Sequence, residues 1–279
     1  MPSRQRRRLL AGLIAAGAGA PLSALSQEGV DVGRTSAFAK LVPPEQLEAA
    51  ANQQYSQLLA QARAQKALAP DEHPQARRLR YVSQRLIPLS YRWNERAKQW
   101  KWEVNLIGSK QLNAFCMPGG KIAFFSGLLE QLKLDDDEVA QIMGHEMAHA
   151  LREHARERMG KTAATRLGAG VVSSILGLGN TGDAILSMGS QLLTLKFSRE
   201  DESEADIVGL DLAARAGYEP QAALRLWKKM MSASQGAPPQ FLSTHPAAET
   251  RIHDIQAKLP RVMPLYKSAE KPTRRFDKA

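Results

Sequence analysis

The sequence predicts an α+β fold, mostly helical, with a small β-sheet just before a helix that carries two histidines. Three observations predict it. Val139, Met143, Met147 and Ala150 form an apolar stripe at helical spacing beside His145 and His149. Between Trp100 and Phe125 the pattern changes to short apolar runs, split by Gly108-Ser109 and by Pro118-Gly119-Gly120. Residues 44–68, rich in Ala, Gln and Leu with Pro44 in the first turn, and residues 74–87 read as helices.

The chain of 279 residues begins with Arg4, Arg6, Arg7 and Arg8, then an apolar run from Leu9 to Ala20 ending in small residues. That layout is a secretory signal peptide, and Ala24-Leu25-Ser26 suits cleavage near Gln27. An uncleaved membrane anchor is the alternative, but the run is short for a span and rich in Gly and Ala. Export through either the Sec or the twin-arginine route places the protein in the periplasm of a bacterial envelope. A single cysteine, Cys116, leaves no internal disulfide and no lipidated N-terminal cysteine. Removing the four arginines lowers the formal charge from +10 to +6. Basic residues are dispersed except in the tail (Lys267, Lys271, Arg274, Arg275, Lys278), which reads as a solvated end, and no nucleic-acid partner is expected.

The expected layout is a signal peptide over 1–26, a lead-in and helix over 27–73, the main domain over 74–260 and a basic tail over 261–279. Residues 27–43 read as a loose lead-in closed by Pro43-Pro44. In the second helix Leu79, Val82 and Leu86 share one face. Strands follow: Trp102 to Ile107, then Leu112 to Met117 and Lys121 to Phe125 about the Pro-Gly-Gly turn. The edge of such a sheet can pair with an extended peptide, making Asn113, Ala114 and Phe115 candidates for holding a substrate strand. A purely structural hairpin is the alternative.

The next helix has a clear start, with Asp135 and Glu138 at capping-box spacing and Asp136 and Asp137 at the positive end of the helix dipole. Within it stands His145-Glu146-x-x-His149. At about 100° per residue the two imidazoles lie about 40° apart and face one point. That is the arrangement for two nitrogen ligands to Zn²⁺, with Glu146 beside them to handle a water. Alone, the motif is also compatible with a chance match on a charged helix. The helix is expected to continue to about Met159, which puts His154 about 140° from His149 and gives it a structural role. Residues 162–197, rich in Gly, Ala and Leu, read as a helical hairpin and a candidate lid. Arg166 and the lack of about 20 consecutive apolar residues argue against a membrane span there.

After Phe197-Ser198-Arg199, an acidic run opens a helix to about Ala216, with Glu202 and Asp206 four apart on one face. An acidic cluster is often only a solvated face. Downstream of a histidine pair, a carboxylate completes His₂Glu with one open position, and Asp206 can accept a ring N–H from a ligand histidine.

Taken with Asn113-Ala114-Phe115-x-x-Pro118-Gly119-Gly120, Gly127-Leu128-Leu129, Ser243-Thr244-His245-Pro246 and Arg251, the chain resembles zinc metallopeptidase family forty-eight over roughly residues 75–260. It looks like the HtpX/BepA/LoiP/YcaL-like group, in a minimal periplasmic form without a helical-repeat domain or lipid anchor. The resemblance implies a gluzincin-type domain holding one Zn²⁺ through His145, His149 and Glu202, with Glu204 the fallback ligand. It implies Glu146 as general base and Asp206 as the orienting partner of a ligand histidine. His245 and Arg251 match a pair that contacts the substrate carbonyl or transition state. His245 is alternatively a self-inhibiting fourth ligand. The implied activity is a secreted zinc endopeptidase of protein quality control, hydrolysing unfolded or misassembled cell-envelope proteins by a metal-activated water. Its expected partners are those polypeptides and the outer-membrane assembly machinery, and it has no stable transmembrane span. The competing expectations are a non-proteolytic, chaperone-like assembly factor whose structural zinc is closed by His245, and a basic envelope-binding module.

Overall fold

The computed structural model describes residues 29–167, 189, 192–233, 240–246 and 249–276. The expected signal peptide and most of the 162–197 hairpin lie outside the described residues. Among the described residues no helix is long and apolar enough to cross a membrane.

The sheet and helices follow the expected order. Helices α1 (Pro44–Ala64) and α2 (Pro74–Ser90) precede strands β1 (Glu103–Ile107), β2 (Ala114–Met117) and β3 (Lys121–Phe125). Then come α3 (Ser126–Gln131), α4 (Asp136–Leu151), α5 (His154–Leu167), α6 (Arg199–Arg215), α7 (Ala222–Ala233), α8 (Gln240–Thr244) and α9 (Glu249–Ser268). The fold is the expected α+β class, mostly helical with one small sheet. Helix α1 stops four residues earlier than its composition suggests, and Lys66 turns the chain through a left-handed φ of 55°. Helix α2 runs to Ser90, with Pro88 accommodated near its end.

The strand order is β1-β3-β2, with β1 parallel and β2 antiparallel to β3. Gly119 and Gly120, both at positive φ, make the turn between β2 and β3, so Pro-Gly-Gly does join neighbouring strands. Among the described residues strand β2 is an unpaired edge of the sheet. In an antiparallel ladder the pairing N–H and C=O groups alternate between the two sides of a strand. Phe125 N donates to Asn113 O, so Phe115 and Met117 also turn their main-chain groups toward β3. Ala114 and Cys116 therefore present theirs to the open side.

Helix α4 is the centre of the core, touched by β2, α2, α6 and α7. Its start is the expected capping box: Glu138 N donates to Asp135 Oδ1 and Asp135 N to Glu138 Oε2, both at 2.9 Å. Every residue from Glu138 to Leu151 is buried, so α4 has no solvent face to match its amphipathic stripe. Its contact with α6 runs through two glycines. A Cβ at Gly144 would stand 2.7 Å from Gly209 O, and one at Gly209 would stand 2.6 Å from His145 N. The two backbones touch, which carries the carboxylates of α6 to the histidines of α4.

Two expectations need correction and a third needs an addition. Helix α4 does not continue to Met159. It ends at Leu151, Glu153 adopts a left-handed φ of 61°, and α5 starts afresh at His154. The lead-in is not loose. Val42 and Ala39 are buried, and Gly33 O accepts from Arg152 Nη2 at 2.9 Å. The basic tail is solvated, with Lys267, Lys271, Arg274 and Arg275 exposed, but it is also docked. Arg275 pairs with Asp137 at 2.9 Å, Phe276 N donates to Asp136 Oδ2 at 2.9 Å, and Thr273 N donates to Tyr81 Oη at 3.0 Å. Asp136 also holds the buried Arg78 at 2.6 Å, so the tail docks on a charge already fixed at the N-terminus of α4.

Candidate metal centre

His145 and His149 stand one turn apart on α4, and Glu202 and Asp206 one turn apart on α6. The glycine crossing brings the two pairs together. His145 Nδ1 lies 3.0 Å from Asp206 Oδ1, which leaves Nε2 for the cluster. That Nε2 is 3.2 Å from His149 Nε2 and 3.5 Å from Glu202 Oε2, while His149 Nε2 is 3.6 Å from Glu202 Oε1. His245, at the end of α8, adds Nδ1 at 3.3 Å from His145 Nε2 and 2.9 Å from Glu202 Oε1. All four residues are buried, and among the described residues they are the one group able to hold a metal ion.

The spacing of these donors tests whether a metal fits. Zinc–nitrogen bonds of about 2.0–2.1 Å in a tetrahedron set adjacent donors ~3.3 Å apart. The observed separations of 2.9 to 3.6 Å scatter around that edge length. Three ring nitrogens and a carboxylate converging on one buried point is an arrangement that a cation would hold together. The donor set of imidazoles and a carboxylate suits zinc.

Electrostatics prepare the ligands. Burial pushes His149 well below the usual imidazole range, so its ring is neutral with a lone pair available. Burial alone would raise the Glu202 carboxyl, but His245, His145 and His149 around it hold it below the usual range. Asp206 is likewise raised by burial and lowered further by Arg251 and His145, with a net shift downward. Burial raises Glu146, whose Oε1 makes no hydrogen bond and lies 3.7 Å from His245 Nε2.

Arg251 of α9 turns away from the cleft. Its Nε and Nη2 hold Asp206 at 2.7 and 2.8 Å, its Nη1 lies 2.8 Å from Glu202 Oε2, and its guanidinium sits 3.8 Å above the Trp227 ring. His245 is clasped between rings, with Phe241 stacked at 4.6 Å and Phe197 at 5.6 Å.

A narrow cleft, with a cavity volume of about 50 Å³, opens beside the cluster. Glu146, His149 and His245 form its polar side and the β2 segment from Asn113 to Pro118 its floor, with Leu192, Leu193, Leu195 and Phe197 opposite. The substrate-strand candidates Asn113, Ala114 and Phe115 thus line the same cleft as Glu146. Sequence reasoning missed Phe197, whose ring stacks on His149 at 3.9 Å. It also missed the contact of His154 with His149, Nδ1 to Nδ1 at 2.9 Å. The expected helix register hid that contact, and only the left-handed Glu153 undoes the register. Glu204, the fallback ligand, pairs with Arg152 and lies outside the cluster.

Comparisons with known proteins agree on one grouping. A family model described as Peptidase family M48 matches residues 74–259. The chain is 28% identical over 218 residues to the mitochondrial metalloendopeptidase OMA1 of Saccharomyces cerevisiae, covering 74% of this chain and 62% of that one. It is 35% identical over 194 residues to the OMA1 of Schizosaccharomyces pombe, covering 68% and 55%. It is 28% identical over 170 residues to the beta-barrel assembly-enhancing protease of Escherichia coli, covering 57% and 35%. The chain therefore spans less than two thirds of the length of each of these relatives.

Proposed function

From a chain that belongs to peptidase family M48, we propose a zinc-dependent endopeptidase that acts on extended, unfolded polypeptides. The observation that carries the proposal is one juxtaposition. His145, His149 and Glu202 converge beside the hydrogen-bond-free Glu146 oxygen, in a cleft floored by an open strand edge.

Zinc held by His145, His149 and Glu202 would acidify a water and polarise the scissile carbonyl. Glu146 would take a proton from the attacking water and pass it to the leaving amine. Its burial favours this, since a carboxyl held above its ordinary range is a stronger base. The substrate lies along β2 and pairs with the main chain of Ala114 and Cys116, which gives affinity with little dependence on side chains. Asp206 fixes the His145 ring, and Arg251 fixes Asp206 and Glu202 from behind. Arg251 thus serves the reaction as a positioning residue.

His245 occupies the space between Glu202 and Glu146 where a water would sit. The arrangement reads as a latched state, opened when α8 moves and frees the fourth position. The same observation supports a second reading, a structural zinc closed by His245 in a non-proteolytic assembly factor. We place the enzyme in the periplasm, exported by its N-terminal segment and acting on misassembled envelope proteins. The similarity to a protease whose name refers to β-barrel assembly suggests the outer-membrane assembly machinery as a partner.

Purified protein should cleave casein, lose that activity with a zinc chelator and regain it on adding zinc. Zinc binding without cleavage, in wild type and His245→Ala alike, would establish the structural reading instead.

A further inference from the structure

A ligand histidine binds metal as the neutral ring through one nitrogen and needs a partner to fix the other. Asp206 does this for His145 directly. Among the described residues no carboxylate touches the second nitrogen of His149. Its Nδ1 meets His154 Nδ1 at 2.9 Å, and His154 Nε2 lies 3.5 Å from Glu204 Oε2, an ion-pair distance short of a formed hydrogen bond.

We propose that His154 and Glu204 are the positioning pair of His149, a relay that sets its tautomer and ring angle for metal binding. The proposal rests on the metallopeptidase reading given above. The chemistry of the atoms assigns every proton. Because His149 Nε2 belongs to the donor cluster, its Nδ1 carries the hydrogen and donates. His154 Nδ1 must then accept, which places the His154 hydrogen on Nε2, aimed at the Glu204 carboxylate. Glu204 is held in turn by Arg152, whose Nη2 reaches Gly33 O at 2.9 Å. Phe197, stacked on the His149 ring at 3.9 Å and 23°, prevents it from rotating out of the relay.

The backbone shows what the relay requires. Had α4 continued, His154 would point about 140° away from His149. The left-handed turn at Glu153 ends α4 and returns His154, 1% exposed, to the face of the metal ligands. A non-glycine residue in that conformation is uncommon, and here it is what brings the imidazole into contact. The two ligand histidines are therefore supported unequally. His145 faces a carboxylate, whereas His149 faces another imidazole with the carboxylate one residue further out.

The test uses the full chain and measures metal affinity by competition with a chromophoric chelator, together with the visible spectrum of the cobalt form. His154→Phe keeps a packed ring and removes the acceptor. It should weaken zinc binding by about 10–100-fold and shift the cobalt bands, with thermal unfolding of the metal-free protein little changed. His154→Gln returns an acceptor and should recover most of that loss. Glu204→Ala, which leaves His154 in place, should weaken binding by a smaller factor in the same direction and tests the relay even if His154→Phe does not fold. Wild-type zinc affinity and an unchanged cobalt spectrum in His154→Phe, or in Glu204→Ala when that variant is the one measurable, would overturn the relay. A wild-type protein that binds no zinc overturns the metallopeptidase reading itself, and the relay with it.

Discussion

Arg251 grips Asp206 through two parallel hydrogen bonds, Nε to Oδ2 at 2.7 Å and Nη2 to Oδ1 at 2.8 Å. The guanidinium is buried and also neutralises Glu202, so one cation compensates two carboxylates. Truncating one member of a buried pair leaves the other charges uncompensated, at a cost of about 3–5 kcal/mol. Arg251→Ala should lower the stability of the metal-free protein by that order in denaturant unfolding. Arg251→Lys should recover little, because an ammonium cannot reproduce the fork.

Glu146→Gln preserves size and hydrogen-bonding shape but cannot take a proton. It should retain zinc at wild-type stoichiometry and lose casein cleavage entirely. A zinc-loaded, fully active Gln variant would falsify the role of Glu146 as base.

The His245 latch makes a directional prediction. Removing the ring in His245→Ala should raise cleavage of unfolded casein several-fold, because the fourth position is freed. If His245 instead donates to the developing oxyanion, the same variant loses activity by roughly 100-fold. Initial rates at saturating zinc distinguish the two, and a fall in rate sinks the latch.

The edge strand predicts an asymmetry between adjacent residues. Cys116 N faces the open side of β2, so Cys116→Pro removes a substrate contact while sparing the ladder to β3. Peptide cleavage should fall at least ~10-fold in kcat/KM, the effect of losing one hydrogen bond and crowding the strand. Phe115→Pro removes a hydrogen bond to β3 and should lower the melting temperature. Equal effects of the two on stability would argue against the assigned register.

In the metal-free protein His145 is pushed up to about 9. Burial opposes the charge on its ring, but the hydrogen bonds that the ring donates to Asp206 and Glu202 outweigh that. A raised imidazole contributes stability that is fully present below its ordinary value of 6.5 and is lost as pH rises through about 9. Zinc must displace this proton, so binding should release protons at neutral pH and tighten as pH rises toward 9. Calorimetry in buffers of different ionisation enthalpy measures the release. Zinc affinity independent of pH between about 6 and 8.5 would contradict the displaced proton.

The sequence by itself picked out the residues that the fold gathers into the candidate site. His145, Glu146 and His149 are placed by helical periodicity, and Glu202 and Asp206 by the same four-residue logic. The capping box at Asp135 and the Pro-Gly-Gly turn are local devices, read correctly because their partners are three or four residues away. What the tertiary structure decided lies across long separations or at single backbone angles. Gly144 against Gly209 brings α4 and α6 together, and no local pattern marks a glycine as a helix crossing. Glu153 at positive φ turns His154 back onto His149, where helical register had placed it far away. The tail, basic in composition, docks because Asp137 waits for Arg275 138 residues upstream of it and Asp136 for Phe276 140 residues upstream. Periodicity fixes which face a residue takes on its own helix. Which neighbour that face meets is set by packing between elements, and packing is a property of the whole chain.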